Sequence, residues 1–175
     1  GLVAGLALQD MIKDLIAGIV MVFENSYNVG DYVKINNFIG TVIELGAKST
    51  RIKSDTGEVK IINNGSITEV INYSIYDLSV IVDIDVSYDS DLLKVQKVLN
   101  DFCKNVRKEL EDVTDDIKLL GVQELKESGI SFRILAPVKP GSQYKVKREL
   151  NMLLKLELDK NNIIIPYPHM VITNE

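Results

Sequence analysis

Residues 1–23, GLVAGLALQDMIKDLIAGIVMVF, change character at Asp10. From Gly1 to Leu8 bulky and small apolar residues alternate, the composition that lets membrane helices pack backbone to backbone. This uncharged run is shorter than the ~20 apolar residues needed to span a bilayer. It therefore reads as the tail of a transmembrane helix that begins upstream. From Ile12 onward the apolar residues Ile12, Leu15, Ile16, Ile19, Val20 and Phe23 recur at helical spacing, while Lys13, Asp14 and Ala17-Gly18 lie mostly off that face. The pattern predicts two helices meeting near Gln9-Asp10, the first in lipid and the second along the interface, with Asp10 as the N-cap of the second. A single soluble amphipathic helix is the competing reading, and the segment alone does not separate the two.

The chain has 175 residues, room for one large or two small domains, and its 46% hydrophobic content suffices for real cores. A net charge of −5 argues against a general nucleic-acid binder, which would carry basic stripes. Cys103 is the only cysteine, which excludes an internal disulfide and any cysteine-based zinc cluster and suits a reducing compartment. No basic region precedes the apolar start, so a secretory signal is not indicated.

Between Val29 and Asn72 the chain turns to short alternating runs. Asp31 to Ile35, Phe38 to Leu45, Ser49 to Lys53 and Glu58 to Ile62 are separated by Asn36-Asn37, Gly46 and Asp55-Thr56-Gly57. Runs of this length and spacing predict a small, strongly bent sheet or barrel, with Gly40 and Gly46 at bends or bulges. After Tyr73 the pattern changes again. Leu78 to Val86 alternates as a strand, and Asp89-Ser90-Asp91 caps a helix with Leu92, Val95, Leu99, Phe102 and Val106 inward. Ile117 to Leu125 and Ile130 to Pro137 pair around Ser128-Gly129. Pro140-Gly141-Ser142 opens a helix with Val146, Leu150, Leu153, Leu154 and Leu158 inward, and His169 to Thr173 supplies a last strand. This β-α-β-β-α-β order is the ferredoxin-like arrangement, an antiparallel sheet with two helices on one face. The domains expected are 1–24, 25–73 and 74–175.

These features coincide, in order, with the small-conductance mechanosensitive (MscS-like) channel family. Gly1 to Gln9 resembles the end of that family's pore helix, and Asp14-Leu15-Ile16-Ala17-Gly18 the helix after its kink. Val29-Gly30-Asp31-Tyr32-Val33, Gly40-Thr41-Val42, Ser49-Thr50-Arg51 and Asp55-Thr56-Gly57 follow its β-domain signature. Asn63-Asn64-Gly65 stands where the family usually has Pro-Asn-Gly, and Pro166-Tyr167-Pro168 matches its Pro-Tyr-Pro. The resemblance implies an α+β fold class: a membrane-helix stump, an Sm-like small β-barrel domain and a ferredoxin-like α/β domain, in a ring oligomer.

It further implies a homoheptameric channel of the bacterial or archaeal-type inner membrane, with residues from about Asn25 onward in the cytoplasm. Its partners would be the lipid bilayer, permeating ions and small osmolytes, with no nucleic acid, no cofactor, no metal and no catalytic residues. Leu2 and Leu6 match the pore gate, and Gly1, Ala4, Gly5 and Ala7 the pore-helix packing positions. Leucines four apart stack on one helix face, and rings of them around a narrow axis gate by dewetting. The kink region falls at Gln9, Asp10 and Gly18, and portals into the vestibule near Asn63 to Tyr76. Asp10 departs from the family, which carries glycine there. An aspartate lacks glycine's backbone freedom, and a ring of aspartates below the gate would favour cations. The chain also ends at Glu175, where family members often add a short strand.

The remaining candidates carry little. His169 has no partner constellation and reads as structural, and Cys103 as a buried spectator. Asp112 to Asp116 lacks the glycine and terminal glutamate of a calcium loop and reads as a solvated turn. The basic residues from Lys139 to Arg148 form the wet face of a helix. The alternative function is a soluble Sm-like ring that binds RNA or protein, disfavoured by net acidity and few aromatics for base stacking. An acylphosphatase-like hydrolase would need an arginine-bearing phosphate loop where this chain has Ser87-Tyr88-Asp89-Ser90-Asp91, and is rejected.

Overall fold

A computed structural model of the protein describes residues 2–168, with side chains from residue 8 onward. The polypeptide divides after Tyr76 into two compact units.

The first unit opens with helix α1, Leu2–Phe23. It runs as one helix through Gln9, Asp10 and Gly18, so the expected break and second N-cap at Asp10 are not formed. Aspartate inside a helix costs only a fraction of a kcal/mol relative to alanine, so nothing local at Asp10 compels the chain to stop. Five strands follow: β1 (Tyr32–Ile35), β2 (Phe38–Leu45), β3 (Ser49–Lys53), β4 (Val59–Asn63) and β5 (Val70–Asn72). They form one antiparallel sheet in the order β4-β3-β2-β1-β5. A single 3-10 turn, Asn64–Ser66, leads out of β4.

Alternation makes this sheet. Val33, Ile35, Thr50 and Ile52 are fully buried while Lys34 and Arg51 point away, and Tyr27, Val42 and Ile62 complete a small core. Asn36 turns β1 into β2 with a left-handed φ of 51°, a conformation asparagine tolerates. Of the bends or bulges expected at Gly40 and Gly46, the bulge in β2 falls between Val42 and Glu44. Gly40 instead permits a close approach, since a Cβ there would lie 2.2 Å from the Lys53 carbonyl oxygen. No side chain fits at that distance.

The second unit contains β6 (Leu78–Val86), α2 (Leu92–Val106), β7 (Lys118–Leu125), β8 (Ile130–Val138) and α3 (Gln143–Lys160). The strands are antiparallel in the order β6-β8-β7, which leaves β6 and β7 parallel and joined by α2 across the central strand. The final strand expected at His169 to Thr173 lies outside the described residues. Asp91 caps α2, its Oδ1 accepting from the Leu93 and Lys94 amides at 3.0 and 3.2 Å. Val95, Leu99, Phe102, Cys103 and Val106 of α2 and Val146, Leu150, Leu154 and Leu158 of α3 bury against Val80, Val82, Val86, Ile130, Phe132, Ile134, Ala136 and Val138. These strand residues alternate, so both helices cover one face of the sheet. Leu92, expected inward, is 38% exposed because it stands at the first position of α2, beyond the edge of that core.

On the opposite face Arg133 stands in register with Asp83 and grips it through two hydrogen bonds of 2.7 Å. Those bonds hold the Asp83 carboxyl below its ordinary value, with partial burial opposing. A lowered carboxyl pKa stabilises the fold above the unfolded value of about 3.9, and the contribution disappears as pH falls through the folded value. Asp83→Asn should therefore lower the thermal midpoint of the second unit near neutral pH, and the gap to wild type should close on titration into the acid range. A gap independent of pH would contradict this.

Candidate functional site

The buried face of α1 is its polar, small-residue face. Asp14 is 4% exposed and Gly18 is buried, whereas Ile12, Leu15, Ile16, Ile19 and Val20 are 41–57% exposed and Phe23 is 87% exposed. The helix lies against its own β-unit through side chains that a hydropathy plot would assign to solvent. Its apolar stripe faces away from that unit.

Asn64 organises the contact. Its Nδ2 donates to the carbonyl oxygens of Gly46 and Ala47 at 3.0 and 3.1 Å, and its Oδ1 accepts from the Thr50 hydroxyl at 3.0 Å. Its amide donates to the Lys48 carbonyl at 2.9 Å. The Tyr27 hydroxyl lies 3.0 Å from Thr50 Oγ1 and 3.2 Å from Met21 Sδ, which links this network back to α1. Burial pushes the Tyr27 hydroxyl pKa up, and the Thr50 hydrogen bond partly offsets the rise. Asn64, 1% exposed, thus has its amide donors and acceptor used, the condition under which a buried polar side chain stabilises rather than costs.

Two features lock the helix onto this node. Asp14 Oδ1 accepts from the Gly65 amide at 2.9 Å, satisfying a backbone donor of the 3-10 turn. A Cβ on Gly18 would lie 2.5 Å from Asn64 Nδ2 and 2.6 Å from the Ala47 carbonyl oxygen. Glycine is therefore required for the two elements to touch. Gly18, expected in the kink region, serves this contact, while Gln9 and Asp10 are exposed on the unbroken helix. The gate and packing positions, Leu2, Leu6, Gly1, Ala4, Gly5 and Ala7, lie outside the described side chains.

Sequence reasoning singled out Asn63-Asn64-Gly65 as a motif at the start of the expected portal region and placed Asp14 off the apolar face of its helix, but foresaw no contact between them. Its one usable signal was that Asp14 and Gly18 stand four residues apart, on one helix face. Other chemistry is sparse here. Among the described residues no group of three or more His, Cys, Asp or Glu is placed to hold a metal ion. Cys103 is buried and its thiol is pushed up to about 11 by desolvation, which leaves it protonated and unreactive near neutral pH. His169 lies outside the described residues. No helix among them is long and apolar enough to cross a membrane.

Breaking the clamp should be measurable. Asp14→Ala leaves the Gly65 amide without its acceptor, a loss of about 1–3 kcal/mol. Gly18→Ala should also destabilise the contact, even though alanine favours an isolated helix by about 1 kcal/mol. Hydrogen exchange at Gly65 should accelerate in both variants; protection equal to wild type would contradict the clamp.

Comparisons with known proteins agree with this architecture. Residues 10–75 match the family model described as mechanosensitive ion channel, beta-domain, and residues 80–165 match that of mechanosensitive ion channel MscS, C-terminal. A small-conductance mechanosensitive channel of Caldanaerobacter subterraneus subsp. tengcongensis is 32% identical over 171 residues, covering 98% of this chain and 61% of that protein. One from Edwardsiella ictaluri is 30% identical over 173 residues, covering 97% of this chain and 59% of that protein. The chain thus spans about 60% of the length of these relatives. The closed-state crystal structure of Helicobacter pylori MscS superposes with a TM-score of 0.85 at 23% identity, covering 100% of this chain and 70% of that one, a likeness of fold. By the two consecutive domain models, the relatives and the shared fold, this chain belongs to the MscS family of mechanosensitive ion channels.

Proposed function

We propose that this chain is the end of the pore helix and the cytoplasmic body of a channel that opens under membrane tension and releases ions and small solutes on hypo-osmotic shock. The observation that carries the reading is the inverted amphipathicity of α1. Its small and polar face is held by the β-unit through Asp14, Gly18 and Asn64, and its apolar stripe from Leu8 to Phe23 is left uncovered. A contiguous apolar face of this size calls for lipid, a neighbouring copy or both. The family and the names of the relatives support the same reading.

In this proposal the subunits form a homoheptamer in the inner membrane, with residues from about Asn25 onward in the cytoplasm. Leu2 and Leu6 form the gate, and Gly1, Ala4, Gly5 and Ala7 let neighbouring pore helices approach closely. Vestibule portals lie near Asn63 to Tyr76. Tension supplies the driving force, because a conformation that occupies more membrane area is favoured by the tension times the area gained. That is the differential free energy any population shift requires. No bond is made or broken, so the function calls for no catalytic residue and no cofactor.

The test is current recording from the full-length polypeptide in liposome patches under graded suction. Stepwise currents that rise with tension and disappear in pure lipid are expected. Silence up to membrane rupture, with RNA retained by a purified ring, would contradict the channel and support an Sm-like binding module.

A further inference from the structure

We propose that Asp10 gives the cytoplasmic mouth of the pore a preference for cations; the inference rests on the channel reading above. Asp10 lies four residues after Leu6 and eight after Leu2 on the uninterrupted helix α1. It therefore continues the row assigned to the gate, about 6 Å further along the axis at ~1.5 Å per residue. The same row next reaches Asp14, seated on the Gly65 amide, and then Gly18, seated against Asn64. One row thus passes from the expected pore face to the face that the β-unit covers. Asp10 is the position in between.

The two aspartates of this row differ in their use. Asp14 is buried and its carboxyl engages the 3-10 turn. Asp10 is exposed, and among the described residues its carboxylate has no hydrogen-bond or ion-pair partner. The nearest cation along the helix is Lys13, whose Cγ lies 3.0 Å from where a Gly65 Cβ would be, so its stem runs along the β-unit. Among the described residues Lys13 forms no ion pair with Asp10. Repetition of Asp10 around a ring would therefore place uncompensated carboxylates about one helical turn below the gate. Rings of acidic side chains favour cation conduction. A local potential of about one kT, modest for a charged constriction, raises cations and lowers anions about threefold each.

Reversal potentials across a KCl gradient, recorded from tension-activated currents of the full-length polypeptide, test this. Asp10→Asn, which removes charge at nearly constant size, should lower the cation-to-anion permeability ratio by about sevenfold. Asp10→Lys should move it further in the same direction. Both effects should shrink as salt rises from about 0.1 M to 1 M, because the screening length falls from about 10 Å to 3 Å. Glu24→Gln, a charge removed at the far end of the same helical region, should leave the ratio at the wild-type value. Tension-activated currents whose reversal potential is the same in wild type, Asp10→Asn and Asp10→Lys would overturn the role of Asp10 and leave the channel reading standing. Absence of tension-activated current in the wild type would overturn both.

Discussion

The seating of α1 on the first unit is arranged around the side chain of Asn64. A helix cannot rest its small-residue face on a sheet edge unless the backbone groups exposed there find partners. Asn64 closes the Gly46-Ala47 carbonyls and the Thr50 hydroxyl into one network, and the adjacent Gly65 amide is closed by Asp14. With those groups satisfied, Gly18 can approach to contact distance. Apart from Met21, which packs against the β-unit core, the large apolar residues of α1 are thereby turned away from that unit. The arrangement that exposes a hydrophobic stripe is held by the hydrogen bonds of Asp14 and Asn64 together with the packing of Met21.

The second unit is built on the opposite principle. Its core consists of leucines at every fourth position of α3 and of the alternating residues of β8, all fully or almost fully buried. Burial of this kind is non-directional and scales with area, which suits a rigid body. The clamp in the first unit is directional and small. A few kcal/mol of hydrogen bonding hold the helix there.

Much of this was legible in the sequence because periodicity reports which residues are apolar and how they are spaced. The strands of both units, the Asp91 cap and the buried rows of α2 and α3 follow from alternation and helical spacing. What periodicity does not report is which face is covered. In α1 the usual inference, that the apolar face packs on the body of the protein, is reversed, and the four-residue spacing of Asp14 and Gly18 is the one local trace of the reversal. The unbroken course through Asp10 was missed for a related reason. Aspartate is a good cap but also a tolerable interior residue, so its presence alone does not place a boundary. Gly40 was expected at a bend or bulge because a glycine in a strand commonly marks one, and here it answers to the backbone of Lys53, a neighbour thirteen residues away in sequence.

The contacts of Asp14, Gly18 and Asn64 hold α1 against its β-unit. Pulsed electron-spin distances between labels at the exposed positions Ile16 and Val59 of a single subunit test this most directly. The labelled full-length polypeptide is diluted with unlabelled copies and measured in bilayers with and without applied tension. The clamp predicts the same narrow distance distribution in both conditions. A distribution that shifts or broadens under tension would mean that the helix leaves the Asn64 node when the membrane is stretched, and would contradict the account.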